Sequence, residues 1–334
     1  MRGMWNLTPR IYALMEAALA CLTLVTGAAF AQAPSFPSKQ VRIILGVPPG
    51  GVSDTLTRAL GQELTKKWGQ TVVVENRPGA NGVIATSAVG KSAPDGSTIL
   101  MTNSAQFITT PFLVASAPYD PVKEFTPVSA LVRTDDVLVA SPQSSAKTVQ
   151  ELITLARAKP GQLNYGSFGP GSATHLDAES FSAAAGIKAT HIPYKGGPEV
   201  LKAVTTGEID FAFTGLTPTI PLVQEGRVRG LAYGGARRSP VLPDVPTFAE
   251  AGLNGVITGA WFVWLVPVGT LPAVVDKIAA DASDVLGQPE FSTRFVTGVG
   301  LEPLRLAPAA TSALLKADLD AYTLLIKTLN IKLQ

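Results

Sequence analysis

An α/β protein with two lobes, each a mostly parallel sheet flanked by helices, is predicted by three features of this 334-residue chain. Short runs of β-branched and aliphatic residues alternate with stretches of helical periodicity, the order that a parallel sheet with crossover helices requires. The alternation occurs twice, the second set beginning at "VLVASP" (Val137 to Pro142). The chain is also long enough for two ordinary domains with a large buried core.

The elements follow in order. "VRIILGV" (Val41 to Val47) is almost continuously apolar, which predicts a strand buried on both faces. After "PPGG", Leu56, Leu60, Leu64 and Trp68 recur every four residues on one helical stripe, and Gly69 ends that helix. "TVVVEN" reads as a strand, "RPGANG" as a turn, "VIATSAVGKSA" as a helix, "PDGS" as a turn and "TILMTN" as a third strand. The second set predicts a helix over 148–159, the strand "LNYGS", a loop, and a helix over 173–185. "THIPYK", a helix over 198–206, "IDFAFTG" and "VRGLAYGG" continue the pattern. The aromatic-rich "WFVWLVP" (Trp261 to Pro267) then precedes helical segments over 272–286 and 308–327, which are expected to pack back onto the first lobe. The expected boundaries are residues 36–141 plus 257–334 for lobe 1 and 142–256 for lobe 2, with the ligand cleft between them and a hinge near 137–142 and 257–266.

The N-terminus differs from the rest. Arg2 and Arg10 precede an apolar run from Ile11 to Phe30 that ends in small residues, so residues 1–31 read as a secretory signal peptide. Ala29-Phe30-Ala31 fits cleavage before Gln32. A retained membrane anchor is the first alternative, because the run approaches bilayer-spanning length. A lipoprotein signal at Cys21 is the second, but the run continues well beyond it and Ala18 stands where leucine is usual. Glu16 inside the run fits none of the three well. Cys21 is the only cysteine, so the mature chain forms no disulfide, which suits a periplasmic protein held by its core. With 46% hydrophobic and 16% charged residues and a net charge of +2, nothing favours nucleic acid as a partner.

Two loops draw attention. "VPPGGVSD" (Val47 to Asp54) and "GSFGPGSATHL" (Gly166 to Leu176) each follow an apolar strand and precede a helix. In a parallel α/β sheet that junction lies at the carboxyl edge, where ligands collect. A helix start leaves backbone N–H groups unpaired and partially positive, and glycines let that backbone approach an anion. Ser53, Asp54, Ser172 and Thr174 are candidate caps or ligand donors. Either loop alone reads equally as a tight turn with a capping residue. Their occurrence at matching places in both sets favours a shared cleft.

Sharper chemistry is poorly supported. Ser172 and His175 share a helical face, but a hydrolase also needs an orienting acid and an oxyanion hole, and no G-x-S-x-G elbow is present. His175, Asp177 and Glu179 match no metal motif, nor does His191 in its predicted strand. The glycine order is not the dinucleotide fingerprint, and no P-loop lysine follows "PPGG". No catalytic residue, cofactor or metal is expected. Asp210, in "GEIDFAFTG", suits a loop-orienting or ammonium-binding carboxylate, or simply a solvated one. Arg77 suits a ligand carboxylate or a surface pair with Glu75.

"VPPGGVSD", "VVVENRPGANG", "SAPDGSTIL", "PYDPVKEFTPV", "KPGQLNYGSFGPGSATHL", "HIPYKGGPE", "GEIDFAF" and "LPDVPTFAEAG", in this order, resemble the Bug-type tripartite tricarboxylate transporter substrate-binding receptors. The resemblance covers nearly all the mature chain. It implies a type II periplasmic-binding-protein fold, two lobes closing on a small carboxylate, and no catalytic step. It points to Pro49, Gly50, Gly51, Val52 and Asp54 on one side of the ligand, and to Ser167, Gly169, Gly171, Ser172, Ala173 and His175 on the other. Asn103, Ser104, Ala105 and Asp210 are implied to contribute.

Departures exist: Gly46 and Val47 stand where the family usually has proline and phenylalanine, so an aromatic wall is expected to be missing. Tyr322 replaces a usual tryptophan and Asn330-Ile331 a final glycine-isoleucine. The implied partners are a small carboxylate and either the membrane permease subunits of a tripartite transporter or a sensor ectodomain. The receptor is expected to be an exported, periplasmic monomer.

Overall fold

A computed structural model describes residues 36–113 and 119–329; the expected signal peptide with Cys21 and its cleavage site, and Asn330-Ile331, lie outside these residues. Met1–Ser38 and Lys39–Gln334 form separate units, and everything below concerns the second.

Two sheets organise it. The first contains β1 (Val41–Leu45), β2 (Val72–Asn76), β3 (Thr98–Asn103), β4 (Phe125–Thr134), β10 (Ala260–Pro267) and β11 (Glu302–Pro303), in the order β11-β4-β10-β3-β1-β2. The second contains β5 (Asp136–Ala140), β6 (Asn164–Ser167), β7 (Thr190–Pro193), β8 (Phe211–Gly215) and β9 (Arg229–Tyr233), in the order β7-β6-β8-β5-β9. Alternation makes both faces of the second sheet apolar: Leu138 and Ala140 pack with Tyr165, Phe181 and Phe213 on one side, whereas Val137 and Val139 pack with Val200, Val204 and Leu216 on the other.

Helices link and cover the strands. In the first half these are α1 (Val52–Trp68), α2 (Val83–Gly90) and α3 (Ser104–Leu113). Around the second sheet lie α4 (Val149–Ala158), α5 (Ala173–Ala185), α6 (Gly197–Thr206) and α7 (Leu216–Gln224), and the chain closes with α8 (Pro272–Leu286), α9 (Pro289–Phe295) and α10 (Pro308–Leu329). The α1 stripe buries Leu56, Leu60 and Leu64 completely, and Gly69 ends the helix in the left-handed region at φ 64°. Trp68 Nε1 donates to Asp281 Oδ2 of α8 at 2.6 Å, and at the opposite, cavity edge Trp261 Nε1 donates to Asp318 Oδ2 of α10 at 2.6 Å. Helices α8 and α10 also pack against β4. Among the described residues no helix is long and apolar enough to cross a membrane.

Two differences from expectation matter for the site. Pairing within each sheet is mixed: β1 pairs in parallel with β2 and β3, but β10 runs antiparallel to β3 and β4, and β5 antiparallel to β8 and β9. The antiparallel members are the strands on either side of the crossings between sheets, which must enter the neighbouring sheet from the shared edge. Consequently Asp136–Ala140, assigned from sequence to the first lobe, hydrogen-bonds within the second sheet. The chain crosses at Asp135, just ahead of the expected 137–142 segment, and returns just before Ala260, inside the expected 257–266 segment.

Candidate functional site

The carboxyl ends of the parallel strands and the first residues of β5 and β10 surround one cavity of about 430 Å³. Register explains the convergence. Ala260 pairs with Thr134, Phe262 with Asn103, and Asp136 with Gly215, and all six line the cavity. Because a helix follows β1, β3, β6, β7 and β8, five helices begin there: α1 at Val52, α3 after Asn103, α5 at Ala173, α6 at Gly197 and α7 after Gly215. The starts of α1, α6 and α7 have glycine N-caps and no side-chain cap; the Leu216 amide of α7 donates to Asp135 O at 3.3 Å, whereas the first N–H groups of α1 and α6 are left for another acceptor. With each start carrying partial positive charge, the cavity favours an anion.

The wall on the first-sheet side is held by side chains facing away from the cavity. Asp54, 3% exposed, accepts from Gly50 N at 2.9 Å, Arg58 Nε at 3.0 Å and Asn76 Nδ2 at 2.9 Å. Burial opposes its charge, yet hydrogen bonds from Arg58, the Gly50 amide and Asn76 hold the carboxyl below its ordinary range. Beside it, Ala80 and Asn81 occupy the left-handed region at φ 46° and 50°, a costly conformation for residues with a Cβ. That turn presents Asn81 to the cavity, where its Oδ1 accepts from Gln106 Nε2 at 3.0 Å and its Nδ2 donates to Thr110 Oγ1 at 2.9 Å.

On the second-sheet side, Ser172 is the N-cap of α5. Its Oγ accepts from His175 N at 3.3 Å and donates to Gly169 O at 2.7 Å. Gly169 and Gly171 have φ 107° and 75°, which side chains rarely adopt, so the two glycines permit the loop's shape. The His175 ring accepts from Gly171 N at 3.0 Å through Nδ1, and His191 Nε2 meets Ser167 Oγ at 2.6 Å.

A family model described as the tripartite tricarboxylate transporter family receptor matches residues 56–331. The chain belongs to this family. Its relatives include protein BugT of Bordetella pertussis, 30% identical over 308 residues that cover 92% of this chain and 94% of BugT. Two solved structures are similar: R. palustris Rpa4515 with adipate, at 31% identity and TM-score 0.81 over 90% of this chain and all of that one, and Rhodopseudomonas palustris MatC with bound malate, at 29% identity and TM-score 0.78 over 87% and 100%. The two-sheet α/β architecture is therefore that of periplasmic binding proteins.

The positions implied by the receptor resemblance separate into three groups. Val52, Asn103, Ser172 and Ala173 line the cavity. Pro49, Gly50, Gly51 and Asp54 shape the loop before α1, while Ser167, Gly169, Gly171 and His175 shape the loop before α5; none of these eight is in the cavity lining. Ser104 and Ala105 are fully buried behind it, with Ser104 Oγ accepting from Trp261 N at 3.2 Å.

Asp210 needs correction. It precedes the amino end of β8, the edge opposite Gly215, and its Oδ2 accepts from Asn164 N at 2.7 Å. Arg77 pairs with Glu75 at 2.7 Å. Unanticipated lining residues include Asn81, Gln106, Asp136, Lys195, Gly215 and Pro218, while Phe168 and Phe262 supply aromatic surface despite Gly46 and Val47. Most of these sit where a strand passes into a helix, a signal present in the sequence at every such junction.

Proposed function

We propose that this receptor binds a small carboxylate in the cavity between its two lobes, unaltered, and delivers it to the membrane permease of a tripartite transporter. The observation that carries the reading is the convergence of five helix starts on one cavity, three of them without a side-chain cap. The adipate and malate held by the similar structures support the ligand class. The lobes are divided at Asp135 and Gly259, where the chain passes between the sheets, and a ligand touching both would favour their closed arrangement. The receptor acts as a monomer on this reading. Export to the periplasm by removal of residues 1–31 completes the proposal.

Hydrolysis by Ser172 and His175 is not favoured by the geometry. The Ser172 hydroxyl is directed to the Gly169 carbonyl, and the His175 ring is occupied by the Gly171 amide rather than by that hydroxyl. Thermal-shift and calorimetric titration of the mature protein with adipate, malate and their diamides tests the reading. The acids should stabilise the fold, by about 2.7 kcal/mol at a hundred times Kd, and the diamides should not. Failure of every carboxylate in a broader panel to bind, or turnover of an ester probe, would refute it.

A further inference from the structure

A buried pair of carboxyls has no place in simple anion binding. Asp136, 8% exposed, opens β5 and lines the cavity beside Thr134, Gly215 and Ala260. Asp177, 1% exposed, lies one turn along α5 from the lining residue Ala173 and on the same helical face. Both Asp177 carboxyl oxygens are buried without a hydrogen-bond donor aligned on them among the described residues, with the Asp136 carboxyl and the Gly259 amide as neighbours.

Neither aspartate has an ion pair among the described residues. The nearby Arg133 is engaged by Asp135 at 2.7 Å, and Asp135 also accepts from Tyr233 Oη at 3.1 Å. From α10, Tyr322 donates its hydroxyl to Gly259 O at 3.4 Å, and Asp318 accepts from Trp261. Lys195 stands exposed at the rim.

Burial raises the proton affinity of both carboxyls; at Asp136 a hydrogen bond with Asp177 acts the other way and the Asp135 charge adds to the rise, whereas at Asp177 the Asp136 charge adds to it and the Gly259 amide opposes it. Asp177, the deeper, is raised well above the ordinary carboxylate range. Two buried carboxyls this close share one proton and one negative charge, and Asp136 is the member of the pair that lines the cavity. A plain dicarboxylate would meet that charge as a repulsion. A ligand with a positive group would answer it.

We propose that Asp136, supported by Asp177, is the counter-charge for an ammonium group, so that the preferred ligand is a small carboxylic acid carrying an amine. This rests on the carboxylate reading above: the helix starts take the carboxylate, and Asp136 takes the cation. The aspartate that binds ammonium is thus Asp136 and not Asp210.

The test is calorimetry of the mature protein with matched pairs: butanoate and 4-aminobutanoate, succinate and aspartate, glutarate and glutamate. In at least one pair the amino acid should bind tenfold or more tightly than its plain partner. Asp136→Asn should erase that preference by weakening the amino acid tenfold while tightening the plain acid, which no longer meets a like charge. Asp177→Asn, which keeps a donor toward Asp136, should retain the preference, and thermal melts report whether each variant is folded. If plain acids bind equally well or better in every pair, or if Asp136→Asn leaves the preference intact, the ammonium site is refuted while the carboxylate reading stands. Binding by no member of any pair would remove both.

Discussion

The imidazoles of His175 and His191 stack with centroids 4.1 Å apart and planes inclined by 14°. Burial lowers both to about 4, and for His191 the facing imidazole adds to the effect. Neutral rings let Nδ1 of His175 accept from the Gly171 amide, fixing the glycine loop ahead of α5.

This pair predicts acid sensitivity well above the carboxylate range. Unfolded histidines take up protons as pH falls through 6.5, whereas the folded ones resist until about 4. The stability they contribute is therefore complete above the unfolded value and lost progressively as pH falls between the two. Thermal melts should show Tm declining over that window, with a shallower decline for His191→Gln. A wild-type Tm that stays level there would contradict the neutral stacked pair.

Ser172 combines a cap with a place in the cavity wall. Ser172→Ala should cost about 1 kcal/mol of stability through loss of the cap. It should also weaken ligand affinity, since the α5 start that it holds, with Ala173 and Thr174, lines the cavity. Denaturant unfolding and calorimetry on the same preparation separate the two effects. Unchanged affinity would remove this hydroxyl from the binding site.

The sequence reveals the elements better than their partnerships. The helices over 173–185 and 272–286 are legible to the residue, because glycine or proline marks their ends and apolar periodicity fills them. Helices α3 and α7 escape the pattern because Pro111 and Pro221 interrupt it, and β4 because Pro127 sits inside an unalternating run. Which sheet receives β5 depends on antiparallel contacts with β8 and β9, more than 70 residues away, and no local signal encodes those. The two glycine loops of the site are legible for the same reason that Asp210 misleads. A strand-to-helix junction has a known edge, whereas a residue before a strand lies at the opposite one.

Gly46 illustrates a requirement that packing alone reveals. A Cβ built there would lie 2.7 Å from Gly82 Cα, backbone against backbone. The close approach joins the end of β1 to the strained turn carrying Asn81, so two cavity walls depend on it. Gly46→Ala should destabilise the protein by about 1–3 kcal/mol, as overpacking does. Ligand affinity should fall with it, because the two walls are forced apart. Urea unfolding of the variant, with and without a bound acid, measures both; wild-type values would show that the approach is not obligatory.

Lys195 stands at the rim just before Gly197, where α6 begins, and forms no ion pair among the described residues, while its backbone N donates to Glu199 Oε2 at 3.0 Å. An exposed cation beside an anion site contributes little in high dielectric, about 0.2–1 kcal/mol, so Lys195→Ala should weaken an acid ligand by roughly fivefold at most. The helix starts act at short range inside the cavity, whereas the lysine acts through solvent and is screened within ~3 Å at about 1 M salt. Titrations at low and at about 1 M sodium chloride should therefore show the variant's defect vanishing at high salt while most of the wild-type affinity survives. A defect of equal size in both conditions would mean that the Lys195 side chain serves the cavity by packing, and its charge would then play no part in holding the acid.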